Sequence, residues 1–202
     1  MKHIDSLPDH APDAVRAVEQ ADIAVAEEAA EVQDHPAVKA LGAASEMADQ
    51  PPLIAVSIAL LAGGLVARRP LLLRTGARML AAHLIATGMK TMVKRSVDRT
   101  RPHVLADEGR YEVSEGEGTD DPRLNSFPSG HTAGAVAVAE AIARSAPRWA
   151  WPARIWAGAV GAIQIPRCSH YPSDIAVGAM IGVAADRTVR VVERAAISIL
   201  RR

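Results

Sequence analysis

The chain has 202 residues with 23 basic and 23 acidic side chains, a formal net charge of zero and 49% hydrophobic residues. That length suits one domain, and the apolar fraction is enough for a packed core or for membrane spans. A single cysteine, Cys168, excludes an internal disulfide and a cysteine-built zinc site, and basic residues scattered among apolar segments without interleaved aromatics give no nucleic-acid surface.

The first fifty residues are polar and Ala-rich, with eleven acids against Lys2, Arg16 and Lys39, so the remainder is net basic. Val15, Val18, Ile23 and Val25 fall loosely at helical spacing, and residues 1–50 read as an acidic surface or interfacial helical region. The start "MKHIDSLPDHAPDA" lacks the apolar stretch of a cleaved secretion signal. After Pro51-Pro52 the texture changes, and residues 51–202 read as the bundle domain. Leu53 to Ala67 carry no charge and are the best candidate for a membrane span, although short of the usual ~20 apolar residues. Four more helices are expected over about 71–94, 130–146, 149–165 and 172–198. Arg74, Arg78, His83 and Lys90 interrupt the first of these, so they must be buried against other helices or sit at an interface. Residues 103–127 read as one long acidic loop, a length that points to function or disorder. The expected fold is an all-α, membrane-embedded bundle of about five to six helices; a soluble all-α domain with basic helix ends is the alternative.

If the helices alternate in direction, one end of the bundle receives Arg68, Arg69, Arg144, Arg148, Arg154, Arg187, Arg190 and Arg194, with Trp149 and Trp151 near the edge. An excess of positive charge marks that end as cytoplasmic. The other end, extracytoplasmic by the same rule, receives the three stretches with chemical potential.

In the first stretch, "KRSVDRTRP", Lys94 and Arg101 are about two helical turns apart and can project from one side of a helix end. The second, "PSGH", sets Ser129, Gly130 and His131 at the start of an apolar helix, where unpaired N–H groups and the helix dipole favour an oxyanion. An ordinary turn and helix cap is the plainer reading of that stretch. In the third, "SHYPSD", a spacing of four lets Asp174 hold one nitrogen of His170 and leave the other free as a nucleophile or base, with a helix cap or dipole partner as the plainer reading of that aspartate.

In order and spacing, Lys94-x6-Arg101-Pro102, Pro128-Ser129-Gly130-His131 and His170-x3-Asp174 resemble the signature of the type 2 phosphatidic acid phosphatase superfamily, the lipid phosphate phosphatases. The resemblance covers about residues 53–190. It implies a bundle related to the acid phosphatase and vanadium haloperoxidase architecture, and hydrolysis of a lipid or polyprenyl phosphate or diphosphate without metal or cofactor. By position, His170 would be the nucleophile that becomes phosphohistidine, Asp174 its orienting carboxylate and His131 the acid that protonates the leaving oxygen. Lys94, Arg101, Ser129 and Gly130 would hold the phosphate. Partners would be the lipid substrate and membrane lipids, in an integral membrane protein whose site faces away from the cytoplasm.

The sequence departs from the family at one phosphate-binding position, where Gln164 stands in place of arginine. An amide donates hydrogen bonds but supplies no charge. Arg167, one helical turn later, is a candidate to fill the vacancy; the alternative is a simply exposed arginine. Cys168 and Ser169 sit where the family often has glycine. His83 reads as a packed side chain, His3, His10 and His35 as incidental, and His103 as a residue near the first motif with a possible substrate contact. Gly158, Gly161, Gly178 and Gly182 read as helix-packing positions. A vanadate-dependent haloperoxidase and a non-catalytic binder of phospholipid headgroups are the competing functions.

Overall fold

The computed structural model describes residues 3–4, 12–119 and 121–200. His10, read as incidental, lies outside them. Eight α-helices are present among the described residues, against the five to six expected: α1 (Asp13–Ala30), α2 (Pro36–Ser45), α3 (Gln50–Val66), α4 (Pro70–Lys94), α5 (Pro102–Glu108), α6 (Gly130–Ser145), α7 (Ala150–Ile163) and α8 (Pro172–Leu200). The surplus comes from α2 and α5. The segment expected as an unbroken acidic loop contains α5 and the short strands β3 (Arg110–Tyr111) and β4 (Val113–Glu115). There β4 runs antiparallel to β2 (Val97–Arg99), and β3 runs parallel to β1 (His3–Ile4).

Local chemistry explains the boundaries. Proline opens α2, α4, α5 and α8, where its missing N–H costs nothing and its fixed φ is already helical. Gly109 closes α5 in the left-handed conformation at φ 67°. Ser129 caps α6, its hydroxyl accepting from the Thr132 N–H.

At the centre stands α6, buried on nearly every side by α4, α7 and α8. Its Ala133, Ala137, Val138 and Ala141 meet Leu53, Met79, Ala82, Ala86, Ile181, Ala185 and Val189 in the main core. With so few aromatics, the bundle gains density by bringing backbones together rather than by interlocking large side chains. A Cβ on Gly178 would lie 2.6 Å from the Ser129 carbonyl oxygen, and one on Gly182 2.7 Å from that of Ala133. Both glycines are therefore needed for the α6–α8 approach.

The interrupted helix α4 resolves as expected in part. Arg78 donates to both carboxylate oxygens of Glu193 at 2.8 and 3.0 Å, and Arg144 joins Glu193 to Asp186, tying α4, α6 and α8 at the basic end. His83 is buried against Gly134 and its ring nitrogens make no hydrogen bond; Arg74 is exposed.

No single helix among the described residues is long and apolar enough to cross a membrane. The bent pair Pro36–Ala48 and Gln50–Val66, with a 51° break, reaches the necessary length and composition together.

Replacing Gly182 with valine should force α6 and α8 apart and destabilise the bundle by about 1–3 kcal/mol. A Gly158→Val variant, where a Cβ would meet nothing within 4 Å, should cost far less. Thermal unfolding in detergent measures both.

Candidate active site

Alternating helix directions bring the end of α4, the starts of α6 and α8, and the end of α7 to one end of the bundle, with α5 and the N-terminal helices α1 and α2 laid across it. All three motifs lie there.

The two cations of the first motif meet at a single acceptor. Lys94 Nζ donates to the Asn125 carbonyl at 2.5 Å, and Arg101 Nη2 reaches the same oxygen at 3.4 Å. Arg101 also donates to the carbonyls of Pro122 at 2.8 Å and Ser169 at 3.3 Å, which fixes it between the second and third motifs. Both cations are thus aimed by backbone carbonyls of the segment entering α6.

His170 is almost wholly buried at 3% exposure, and Asp174 is fully buried. The Nδ1 of His170 lies 2.7 Å from the Ser126 carbonyl and 3.6 Å from Asp174 Oδ2. The carbonyl is an acceptor only, so Nδ1 carries the hydrogen and Nε2 keeps its lone pair for attack. At 3.6 Å the carboxylate acts on the ring through charge more than through a hydrogen bond. Burial drives the imidazole down to about 4; the nearby Asp174 opposes this, while Arg101 and Lys94 push the same way. The free site therefore holds His170 neutral, the form a nucleophile needs.

Ser129 is fully buried, with its N–H donated to the Asp174 carbonyl at 3.1 Å and its hydroxyl accepting from the Thr132 hydroxyl at 3.0 Å. Its role as a cap and as a tie to α8 is visible. Gly130 opens α6, and Lys90 Nζ lies 3.0 Å from where a Cβ would stand on it, adding a third cation to this corner.

Gln164 does not point an amide hydrogen into the anion seat. Its Nε2 donates to Ser45 Oγ at 3.3 Å and to the Val160 carbonyl at 3.0 Å, while Oε1 is buried without a partner. Arg167 is not simply exposed. Its Nη1 donates to the Gly42 carbonyl at 3.2 Å and Ser45 Oγ at 2.9 Å, and its Nη2 lies 2.7 Å from Glu46 Oε1. The other Glu46 oxygen lies 3.3 Å from His131 Nε2. Arg167 and Gln164 thus share the Ser45 oxygen, but Arg167 is tied to the α2 end rather than placed in the vacancy. Cys168, where the family often has glycine, adopts φ 50°, a left-handed backbone otherwise favoured by glycine. His103 is held by its N–H to the Cys168 carbonyl. Among the described residues no cluster of three or more His, Cys, Asp or Glu side chains has the arrangement of a metal site.

The residue missed in the sequence is Arg99. Two per cent exposed, it donates from Nη1 to Asp174 Oδ1 at 2.7 Å and Ser173 Oγ at 2.9 Å, and from Nη2 to Glu19 and Asp22 of α1, each at 2.8 Å. Its guanidinium carbon lies 4.1 Å from the Tyr171 ring centroid, and Tyr111 accepts from Nε and Nη2. Ser126 Oγ donates to Asp174 Oδ2 at 2.5 Å and the Tyr171 N–H to the same oxygen at 2.8 Å. Asp174 is therefore held from both oxygens and cannot rotate away from His170. The only local sequence signal is an arginine two residues before the motif's own.

Arg99→Ala should cost about 3–5 kcal/mol, because it strands buried carboxylates without a counter-charge. Arg99→Lys should recover part of this; urea unfolding followed by tryptophan fluorescence reads both. Stability should also depend on pH. Between about 4 and the ordinary 6.5, the unfolded chain binds a proton at His170 that the folded chain refuses, so the neutral ring's contribution is present above 6.5 and fades as pH falls through that window. His170→Asn should flatten the loss of stability over that range, measured as unfolding midpoints against pH.

No curated protein matches the chain by sequence. Among solved structures the fold is similar to a transmembrane PAP2-type phosphatidylglycerolphosphate phosphatase from Bacillus subtilis, with a TM-score of 0.66 and 20% identity over 88% of this chain and 87% of that one. It is similar also to Aquifex aeolicus LpxE, with a TM-score of 0.59 and 18% identity over 91% of this chain and 97% of that one. The family model of the PAP2 superfamily matches residues 75–196, more than half the chain and all three motifs, and the chain belongs to that superfamily.

Proposed function

We propose that the protein is a phosphatase of lipid or polyprenyl phosphates or diphosphates that works through a phosphohistidine. The observation that carries this reading is His170: a neutral, buried imidazole with Nδ1 held by the Ser126 carbonyl, Asp174 behind it and Lys94 and Arg101 close by. In the first step the Nε2 lone pair forms a bond to phosphorus as the bond to the leaving oxygen breaks, and His131 gives that oxygen its proton. His170 becomes a cation, which Asp174 and the Ser126 carbonyl stabilise. In the second step water bonds to phosphorus while His131 takes its proton, and the phosphorus–nitrogen bond breaks to release inorganic phosphate. Lys94, Arg101 and the first N–H groups of α6 hold the nonbridging oxygens. Side chains and backbone groups of this chain fill every role, so this route calls on no metal.

An amphiphilic substrate is supported by the surface. Val66 at 85%, Ile155 at 68% and Trp151 at 73% exposure are large apolar side chains on α3 and α7 that water would penalise and lipid would cover. The arginine-rich end and the site end lie at opposite poles of the bundle, which supports a membrane protein with its site away from the cytoplasm. The similar Bacillus subtilis protein is a phosphatidylglycerolphosphate phosphatase, and phosphatidylglycerol phosphate is one reasonable substrate for this chain.

Phosphate release from a panel of lipid and isoprenoid phosphates in detergent tests the reading. The wild type should turn over at least one, His170→Ala should lose about a thousandfold or more, and His131→Ala about 10²–10⁴-fold. Equal, negligible release by all three proteins rejects it.

A further inference from the structure

Glu46 lies in the 3-10 turn Glu46–Ala48, between α2 and α3, in the acidic region outside the family match. Its two carboxylate oxygens face different residues of the site: Oε1 meets Arg167 Nη2 at 2.7 Å, and Oε2 meets His131 Nε2 at 3.3 Å. The turn is pinned from three sides. Ala48, 1% exposed, packs with Ala135 and Ala139 of α6 and with Ala157 and Val160 of α7, so the turn rides on the helix whose first turn carries His131. Arg167 grips Gly42 and Ser45 as well as Glu46, and Gln164 holds Ser45 from below. Gln164, where the sequence departs from the family, thus holds the residue just before this turn. Burial pushes the Glu46 carboxyl up, but the hydrogen bond from Arg167 and the neighbouring His131 outweigh this, and the net shift is downward.

We infer that Glu46 is the positioning residue of the acid histidine, so that the site contains two histidine–carboxylate pairs: His170 with Asp174, and His131 with Glu46. This rests on the phosphatase reading above. Glu46 accepts the Nε2 hydrogen of His131 and leaves Nδ1–H as the proton for transfer. As the bond from phosphorus to the leaving oxygen breaks, that oxygen takes the Nδ1 proton and the ring becomes neutral, still held by Glu46. In the second step Nδ1 accepts a proton from the attacking water, and Glu46 stays ionised throughout. Beside Gly130 lies Lys90 of α4, Arg167 bears on the ring through Glu46, Asp49 just before α3 interacts with Lys90, and His83 lies one turn deeper against Gly134. Among the described residues, the acceptor that meets the ring is Glu46. It is about half exposed, so solvent screening limits the effect to tens of fold rather than thousands.

The test is Glu46→Gln, with Glu46→Asp as the partial replacement. The expected result is a fall in kcat of about tenfold at pH 8 but no more than about threefold at pH 6, with KM changed less than twofold, because the carboxylate that answers the charged ring is gone. Glu46→Asp should return part of the loss. Independently of turnover, the His131 Nε2–H proton should resonate at higher field in Glu46→Gln than in wild type, measured by NMR in the detergent-solubilised protein, as a neutral amide replaces the carboxylate acceptor. An unchanged profile shape with an unchanged Nε2–H signal overturns the inference, as does a uniform loss at every pH, which marks Glu46 as a structural tie only. If wild type releases no phosphate from any substrate, the phosphatase reading fails by itself, while the Nε2–H signal still decides whether Glu46 holds His131.

Discussion

A guanidinium removed from water must be answered by charge, and Arg99 is answered four ways at once: by Asp174, by Glu19 and Asp22 of α1, and by the face of Tyr171. Asp174 faces His170, so the carboxylate beside that imidazole is itself held by an arginine that also pairs with the N-terminal helix. Burying these charges is costly unless every one is matched. The apolar packing of Ile23, Ala26, Leu105, Tyr111 and Tyr171 around the cluster excludes the water that would otherwise weaken it. The acidic excess of the first fifty residues has its explanation here in part: two of those acids are counter-ions for an arginine 77 and 80 positions away.

The bundle is legible in the chain to the extent that helices announce themselves locally. Apolar runs, Pro70 and Pro172 at helix starts and Ser129 as a cap set boundaries that the structure reproduces within a few residues. Lys94 and Arg101 do come together, but not as two turns of one helix: α4 ends at Lys94, the strand β2 follows, and the shared Asn125 carbonyl is where the two cations meet. Four things are not legible. The Ser126 carbonyl that holds His170 leaves no side-chain signature. Arg99 sits inside the first motif, but its partners are set by the docking of α1, which no periodicity encodes. The environment of Gln164 depends on Ser45, 119 positions away, a partner that motif spacing cannot reveal. The long acidic stretch reads as a plain loop because α5 and its paired strands are each too short to rise above the surrounding polar sequence.

The N-terminal segments therefore do two different jobs at the same end of the bundle. From α1 come the counter-charges of Arg99; from the end of α2 and the following turn come the acceptors for Arg167 and Gln164. The family-matching part of the chain supplies helices and reactive groups, and the preceding part supplies much of the electrostatic frame around them.

The glycine contacts between α6 and α8 fix more than density. Asp174 lies one turn from Gly178, and its carbonyl takes the Ser129 N–H two residues before His131. The starts of the two helices are thus set against each other by main chain touching main chain, which has no rotamers with which to yield. Strain put on either helix is passed along this seam with no side chain between the two backbones to absorb it.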